Sequence, residues 1–255
     1  YGMIGITEPR RVAATNIASR VIEELNQKKF DLVGYQIRNE STVSKESKIK
    51  FMTDGILIQE MKSDFMLNKY SVLIIDEAHE RSVFTDILIG LLSRVAMSRR
   101  MTSKPLRIII MSATLYIDEF VKNKQLFPEF EPPVIKIESR QYKVNIHQAK
   151  KTPDDYISAA YNKVIKIHKN LPIGTILVFL ASRKEVTELV EMLKNSEYFQ
   201  KMEVLPFYSV LDSREQAKVF QRVDYSSYSK QICVVSTNLA ETSITIPDVK
   251  YVVDT

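Results

Sequence analysis

Short runs of β-branched residues recur along this chain, each followed by a turn and an amphipathic stretch, and that rhythm restricts the fold more than any other feature. The clearest run is Val72-Leu73-Ile74-Ile75. It is apolar at every position, as a strand must be when helices cover both faces of its sheet. Ile4-Gly5-Ile6, Leu32 to Ile37, Ile49 to Met52 and Arg107 to Met111 read as companion strands. Helices are expected from Arg10 to Asn26, from Asp54 to Lys62, from Thr85 to Arg100 and near Asp118, with Pro9 suited to the start of the first. Such alternation predicts an α/β fold with a mostly parallel sheet and helices on both faces.

The rhythm breaks between Phe127-Pro128 and Pro132-Pro133, where prolines bracket acidic residues. Val134 to Ile137 and Tyr142 to Ile146 read as extended segments leading into a second unit. There the pattern resumes: helix Asp154 to Lys169, strand Thr175 to Leu180, helix Lys184 to Lys194 and strand Val204 to Phe207. A helix from Arg214 to Phe220 and strands Ile232 to Ser236 and Tyr251 to Asp254 complete it. The expected organisation is one lobe over residues 1–132, a connection over 133–152 and a second lobe over 153–255. A cleft between lobes is where ligands are expected.

At 255 residues the chain is long enough for two cores. No apolar run approaches the roughly 18–20 residues needed to span a bilayer, so no membrane partner is expected. The net charge of +5 suits an anionic partner and equally a solvated positive face. A single cysteine, Cys233, can form neither an internal disulfide nor a zinc cage; it reads as a buried strand residue of a protein from a reducing compartment. Tyr1 opens in what reads as the approach to a strand, so an excerpt of a longer protein is expected.

The run at Val72 delivers Asp76 and Glu77 at its carboxyl end, where open α/β sheets place their ligands. Two adjacent acids there are costly unless a cation or hydrogen bonds compensate. Magnesium with a nucleoside triphosphate is the usual compensation, with Asp76 holding the hydrated ion and Glu77 orienting the attacking water. A solvated Asp-Glu turn is the plain alternative for the dipeptide. The full string Asp76-Glu77-Ala78-His79-Glu80-Arg81 is far more specific.

Four further motifs accompany it in order: Thr7-Glu8-Pro9-Arg10-Arg11-Val12-Ala13-Ala14, Thr53-Asp54-Gly55, Ser112-Ala113-Thr114, and Thr237-Asn238-Leu239-Ala240-Glu241-Thr242-Ser243 after Ser236. Together the five resemble helicase motifs Ia, Ib, II, III and V of the DEAH-box RNA helicases. The resemblance implies two RecA-like domains, both incomplete in this sequence, with ATP, other nucleoside triphosphates tolerated, and Mg2+ as cofactors. It makes Asp76, Glu77, His79, Ser112 and Thr114 the catalytic set, His79 linking this site to the facing lobe and Ser112 and Thr114 coupling hydrolysis to movement. Thr242 and Ser243 sit where the second lobe senses phosphates. Arg20 and Phe220 match positions that sandwich the base, a guanidinium on one face and a ring on the other. Taken singly, Arg20 reads as a solvated helix residue and Phe220 as core.

For RNA, Arg10 and Arg11 stand at a helix start, where charge and helix N-terminus both favour phosphate. The resemblance adds Arg38, in a turn touching the strand, and Thr53 and Thr237 as hydroxyl contacts to the backbone. Such contacts imply a non-specific grip on single-stranded RNA. His147 and His168 lack partners at ligand spacing and read as structural, and the basic stretch Arg94 to Lys104 reads as a solvated face.

Finer spelling narrows the resemblance. Splicing relatives usually carry Gln where Glu8 stands, and a Thr-Leu-His-like run after the Glu-Arg. The segment Glu80 to Arg94, with Glu138-Ser139-Arg140-Gln141-Tyr142 and Lys151-Thr152-Pro153, is similar to the group acting in small ribosomal subunit assembly. That group implies nuclear, nucleolar work on pre-rRNA and U3 small nucleolar RNA particles, 3′ to 5′ polarity and a glycine-rich activator protein. A splicing DEAH-box helicase and a non-hydrolysing RNA-binding scaffold are the alternatives, the intact catalytic set arguing against the scaffold. Two departures stand out: Leu180-Ala181-Ser182-Arg183 lacks the glycine common after this strand, and the second lobe lacks an acidic insertion. The chain also holds no Gly-rich phosphate loop, which the resemblance places roughly 20–30 residues before Tyr1. The arginine-rich motif VI is expected beyond Thr255, so negligible ATPase activity is expected of these 255 residues alone.

Overall fold

The computed structural model describes residues 2–26, 31–113, 117–137, 142–151, 153–226, 230–241 and 246–255. They divide into two compact units, Tyr1–Ser139 and Arg140–Thr255.

The first unit runs β1 (Met3–Glu8), α1 (Arg11–Glu24), β2 (Val33–Ile37), β3 (Glu40–Ser41), β4 (Ile49–Thr53), α2 (Asp54–Ser63), β5 (Tyr70–Ile75), α3 (Val83–Arg99), β6 (Arg107–Ile110) and α4 (Asp118–Val121). Its sheet has the order β3-β2-β4-β1-β5-β6. Every pairing is parallel except β2 with β3. That exception is a tight hairpin in which Ile37 pairs with Glu40 and Arg38 and Asn39 make the turn, Asn39 at φ 67°. A polar two-residue strand has no apolar alternation to announce it, and the sequence pattern passed over it.

The β-branched runs are explained by the two faces they serve. Ile6, Phe51 and Ile74 point to α1, where Ala14 and Ala18 let the helix lie close to the sheet. Met52, Leu73 and Ile75 point the other way, onto Leu57 and Met61 of α2 and Leu88 and Leu92 of α3. Alternate residues of one strand thus enter two separate cores, which is why no position can be polar.

The second unit runs α5 (Tyr156–Asn170), β7 (Thr175–Phe179), α6 (Arg183–Lys194), β8 (Met202–Phe207), α7 (Ser213–Lys218), β9 (Gln231–Ser236) and β10 (Val249–Val253). Its order is β10-β7-β9-β8, parallel throughout. Ile176, Val178, Cys233 and Val235 pack against α5 and α6, whereas Leu177, Ile232 and Val234 pack with Val219 and Leu239. Cys233 is fully buried in β9 and its thiol is pushed up to about 12 by that burial, so it stays protonated. Where a glycine was missed after β7, Ser182 and Glu185 form a capping box instead: Ser182 Oγ accepts from the Glu185 N–H, and Glu185 Oε2 accepts from the N–H groups of Ala181 and Ser182.

The structure adds detail to several sequence expectations and corrects one. Val134 to Ile137 and Tyr142 to Ile146 join no sheet among the described residues; Ile135, Ile137, Tyr142 and Ile146 are exposed. The stretch Arg94 to Lys104 is not wholly a solvated face. Arg99 is 2% exposed, and its guanidinium donates to the carbonyls of Met66, Leu67, Tyr70 and Lys104 at 2.7–3.0 Å. It locks the end of α3 to the loop before β5. His168 is structural as expected, its Nδ1 lying 2.7 Å from Gln231 Oε1 at the start of β9. No described helix is long and apolar enough to cross a membrane.

Candidate nucleotide and RNA site

The chain leaves the first sheet at Asp76, whose N–H still donates to the Thr7 carbonyl at 3.1 Å. Glu77 then adopts a left-handed conformation (φ 52°, ψ 36°), a single 3-10 turn covers Ala78–Glu80, and Arg81 is left-handed again at φ 52°. Two such turns in non-glycine residues reverse the chain within a few residues. Ser82 then caps α3, its Oγ accepting from the Thr85 N–H at 3.0 Å.

This loop is bonded to the end of β6. Met111 N–H donates to the Ile75 carbonyl at 2.8 Å, and Ala78 N–H donates to the Met111 carbonyl at 2.9 Å. Ala113 N–H donates to His79 Nδ1 at 3.2 Å. With Nδ1 an acceptor, the neutral ring carries its proton on Nε2, which lies 3.3 Å from Glu77 Oε2. The backbone of the Ser112-Ala113 segment therefore sets the tautomer that lets His79 hold the Glu77 carboxylate. Both ring nitrogens of His79 are engaged inside the first unit.

Asp76 Oδ1 accepts from the Glu77 N–H at 2.7 Å. Beside it lies an acid that sequence reasoning passed over. Glu8, at the end of β1, is 1% exposed, and neither carboxylate oxygen meets a donor. Burial raises the Glu8 carboxyl from 4.5 to about 9, with the charges of Asp76, Glu77 and Asp54 adding to the shift, so it holds its proton near neutral pH. Asp76 is itself raised by burial, against the opposing pull of the Glu77 N–H that donates to it. Strand register brings it there: Thr7 pairs with Ile75, so Glu8 lies alongside Asp76, and no sequence pattern announces that pairing.

The remaining candidates fall as follows. Arg10 is the residue before α1, and its Nε lies 3.6 Å from Glu80 Oε1. Arg11 is exposed in a first turn that contains no acid. Arg38 is exposed in the β2–β3 turn. Thr53 precedes α2 and Thr237 precedes a 3-10 turn at Asn238–Ala240, and neither hydroxyl makes a capping bond. Arg20 lies exposed on α1, paired with Glu24 at 2.8 Å. Phe220 follows α7 and packs edge-on against Phe207, ring centroids 5.7 Å apart. Ser112 is exposed just after β6. Thr114, Thr242 and Ser243 lie outside the described residues, as do Glu138 to Gln141 and Thr152.

The parallel sheet ending in a paired acid loop, tied through a histidine to the next strand's exit, was compared with known families. The description "DEAD/DEAH box helicase" matches residues 3–121, and "Helicase conserved C-terminal domain" matches residues 159–255. The chain belongs to the DEAD/DEAH box helicase family. Its DEAH spelling, Asp76 to His79, agrees with the relatives. A Schizosaccharomyces pombe protein named as an ATP-dependent RNA helicase is 45% identical over 308 residues, covering 99% of this chain and 26% of the relative. The human ATP-dependent RNA helicase DHX33 is 41% identical over 261 residues, covering all of this chain and 36% of the relative. The crystal structure of the Escherichia coli DEAH/RHA helicase HrpB matches with a TM-score of 0.78 and 32% identity, over 99% of this chain and 31% of that one. The fold is thus two RecA-like domains. The helicase chain spans about a quarter of the length of the first yeast relatives it matches, 26% of each.

Proposed function

We propose that the protein carrying this chain is an ATP-dependent RNA helicase that couples hydrolysis to 3′ to 5′ movement on single-stranded RNA and so remodels RNA–protein particles. The observation that carries the reading is the bonded loop at the end of β5, in which Ala113 sets the His79 tautomer and His79 holds Glu77. In this reading Glu77 orients the attacking water and accepts its proton, while Asp76 supports the metal.

The residues fit Mg2+. No described cluster of three or more acids, histidines or cysteines could cage an ion, and magnesium bound with a nucleotide needs only one or two carboxylates, water and phosphate supplying the rest. Asp76 offers a half-buried carboxylate whose ionised form burial disfavours and a cation would restore. When bound, the ion neutralises charge on the phosphates. Arg20 and Phe220 are assigned to the base and Thr242 and Ser243 to the phosphates. Ser112 and Thr114 couple hydrolysis to movement, and Arg10, Arg11, Arg38, Thr53 and Thr237 grip the RNA backbone.

The finer assignment is to pre-rRNA processing and small-subunit assembly in the nucleolus, acting on U3-containing particles with a glycine-rich activator. Its support is the spelling of Glu8 and of Glu80 to Arg94, which differs from the splicing group. Two experiments on the full-length protein test the reading. Glu77→Gln should lower RNA-stimulated ATP turnover at least about 100-fold while leaving nucleotide binding in place; equal turnover would refute the catalytic assignment. Crosslinking in cells should enrich U3 or 18S precursor RNA, whereas enrichment of spliceosomal RNAs would move the protein to the splicing group.

A further inference from the structure

Asp54 is the first residue of α2 and is 3% exposed. Its Oδ2 accepts from Thr85 Oγ1 at 2.6 Å and lies 3.4 Å from Ser82 Oγ, whereas its Oδ1 meets no donor. Thr85 is 1% exposed and its hydroxyl lies 2.7 Å from that of Ser82, the cap of α3. A buried carboxylate with one oxygen unmet is costly. The apolar contact between α2 and α3 is already supplied by Leu57, Met61, Leu88 and Leu92, so the polar link adds something other than adhesion.

Its position indicates what. Thr53, whose hydroxyl is left over from capping, directly precedes Asp54. The loop from Asp76 to Arg81 directly precedes Ser82. The hydrogen bond from Thr85 to Asp54, continued by the contact between the Thr85 and Ser82 hydroxyls, therefore joins the residue after an RNA-contact candidate to the residue after the acid loop. Arg10, another RNA candidate, reaches the same loop through Glu80 at 3.6 Å. The loop can respond because Glu77 and Arg81 are both left-handed, a conformation costing about 1–2 kcal/mol for each non-glycine residue and sustained only by its surroundings.

We infer that Asp54 and Thr85 are positioning residues that transmit RNA occupancy at Thr53 to the Asp76-Glu77 loop, so that RNA raises the rate of hydrolysis. The inference rests on the RNA-motor reading above. A backbone phosphate engaging Thr53 and the N-terminus of α2 draws that end of the helix. Asp54 moves with it, and the Thr85 hydroxyl carries the displacement to the start of α3, where Ser82 closes the loop.

The test is steady-state ATP hydrolysis by the full-length protein with and without poly(U), in wild type, Thr85→Val, Thr85→Ser and Asp54→Asn. Valine keeps the volume of threonine and deletes the donor. Thr85→Val should lose about tenfold in the poly(U)-saturated kcat while its basal kcat and its KM for ATP stay within about twofold, the size expected for a hydrogen bond to a charged group. Thr85→Ser should restore stimulation. Asp54→Asn keeps an acceptor but loses its charge and should fall about threefold, so the inference stays testable even if Thr85→Val does not fold. Undiminished stimulation in Thr85→Val overturns the inference, and so does a fall of basal and stimulated rates by the same factor. A wild type that poly(U) does not stimulate overturns the motor reading itself, a distinct result.

Discussion

Glu8 is a buried acid that holds its proton near neutral pH, and its effect on stability has a definite sign. An unfolded glutamate releases its proton near 4.5, but the buried one holds it to about 9. Between those values the folded chain binds a proton that the unfolded chain does not, so stability is fully present below pH 4.5 and is lost as pH rises toward 9. The loss is about 1.4 kcal/mol per pH unit for one proton. Glu8→Gln keeps a neutral donor beside Asp76 and should flatten that dependence, which urea unfolding of the nucleotide-free protein at pH 6 and pH 8 would show. An equally steep wild type and variant would mean that Glu8 is ionised. Arg99 makes the opposite case, a charge that must stay. Replacing it with Met leaves the carbonyls of Met66, Leu67, Tyr70 and Lys104 without their donor and should cost about 3–5 kcal/mol in the same measurement. Neither residue was legible in sequence. The motif containing Glu8 was plain, but its burial depends on strand register, and a basic run at a helix end looks solvated until the loop folding over Arg99 is known.

At the scale of elements, the sequence carried most of the information, and the reason is visible in β5. Because Ile74 and its neighbours Leu73 and Ile75 serve different cores, the strand had to be apolar throughout, and its end had to deliver Asp76. The turn after β7 shows the limit of pattern reading. A missing glycine suggested a different turn, and the capping box supplies it by another route. Glu185 also accepts from the Tyr156 hydroxyl at 2.7 Å, tying α5 to α6. Ser182→Ala should therefore cost about 1 kcal/mol, whereas Glu185→Ala, which removes the tie as well, should cost about 2 kcal/mol. Thermal unfolding of the second unit's signal would rank the two. The reverse ranking would mean that the Tyr156 bond contributes nothing.

At the scale of the whole molecule, the sheet edges differ in how they are protected. The β3 edge is two exposed polar residues, the β8 edge carries Pro206 and Glu203, and the β10 edge carries Lys250. Each is a device that discourages further pairing. The β6 edge carries one charge, Arg107 at its start, and is apolar beyond it. Its Ile108-Ile109-Ile110 run borders an apolar trough of about 770 Å³ lined by Met97, Phe120, Phe130 and Ile135, and Ile109 and Ile135 are 46% and 87% exposed. An unpaired, apolar parallel edge is a template for another strand, so the 255-residue chain expressed by itself should self-associate through β6. Burying one isoleucine side chain at such a contact, on the order of 60 Å², contributes about 1.5 kcal/mol. Ile109→Lys should accordingly weaken association about tenfold and add the cost of bringing a like charge to each copy. Sedimentation velocity across a concentration series would read the shift toward monomer. An unchanged distribution would place the contact elsewhere. Association lost equally to Val252→Lys, on the exposed β10 edge, would show that added charge rather than the β6 edge decides it.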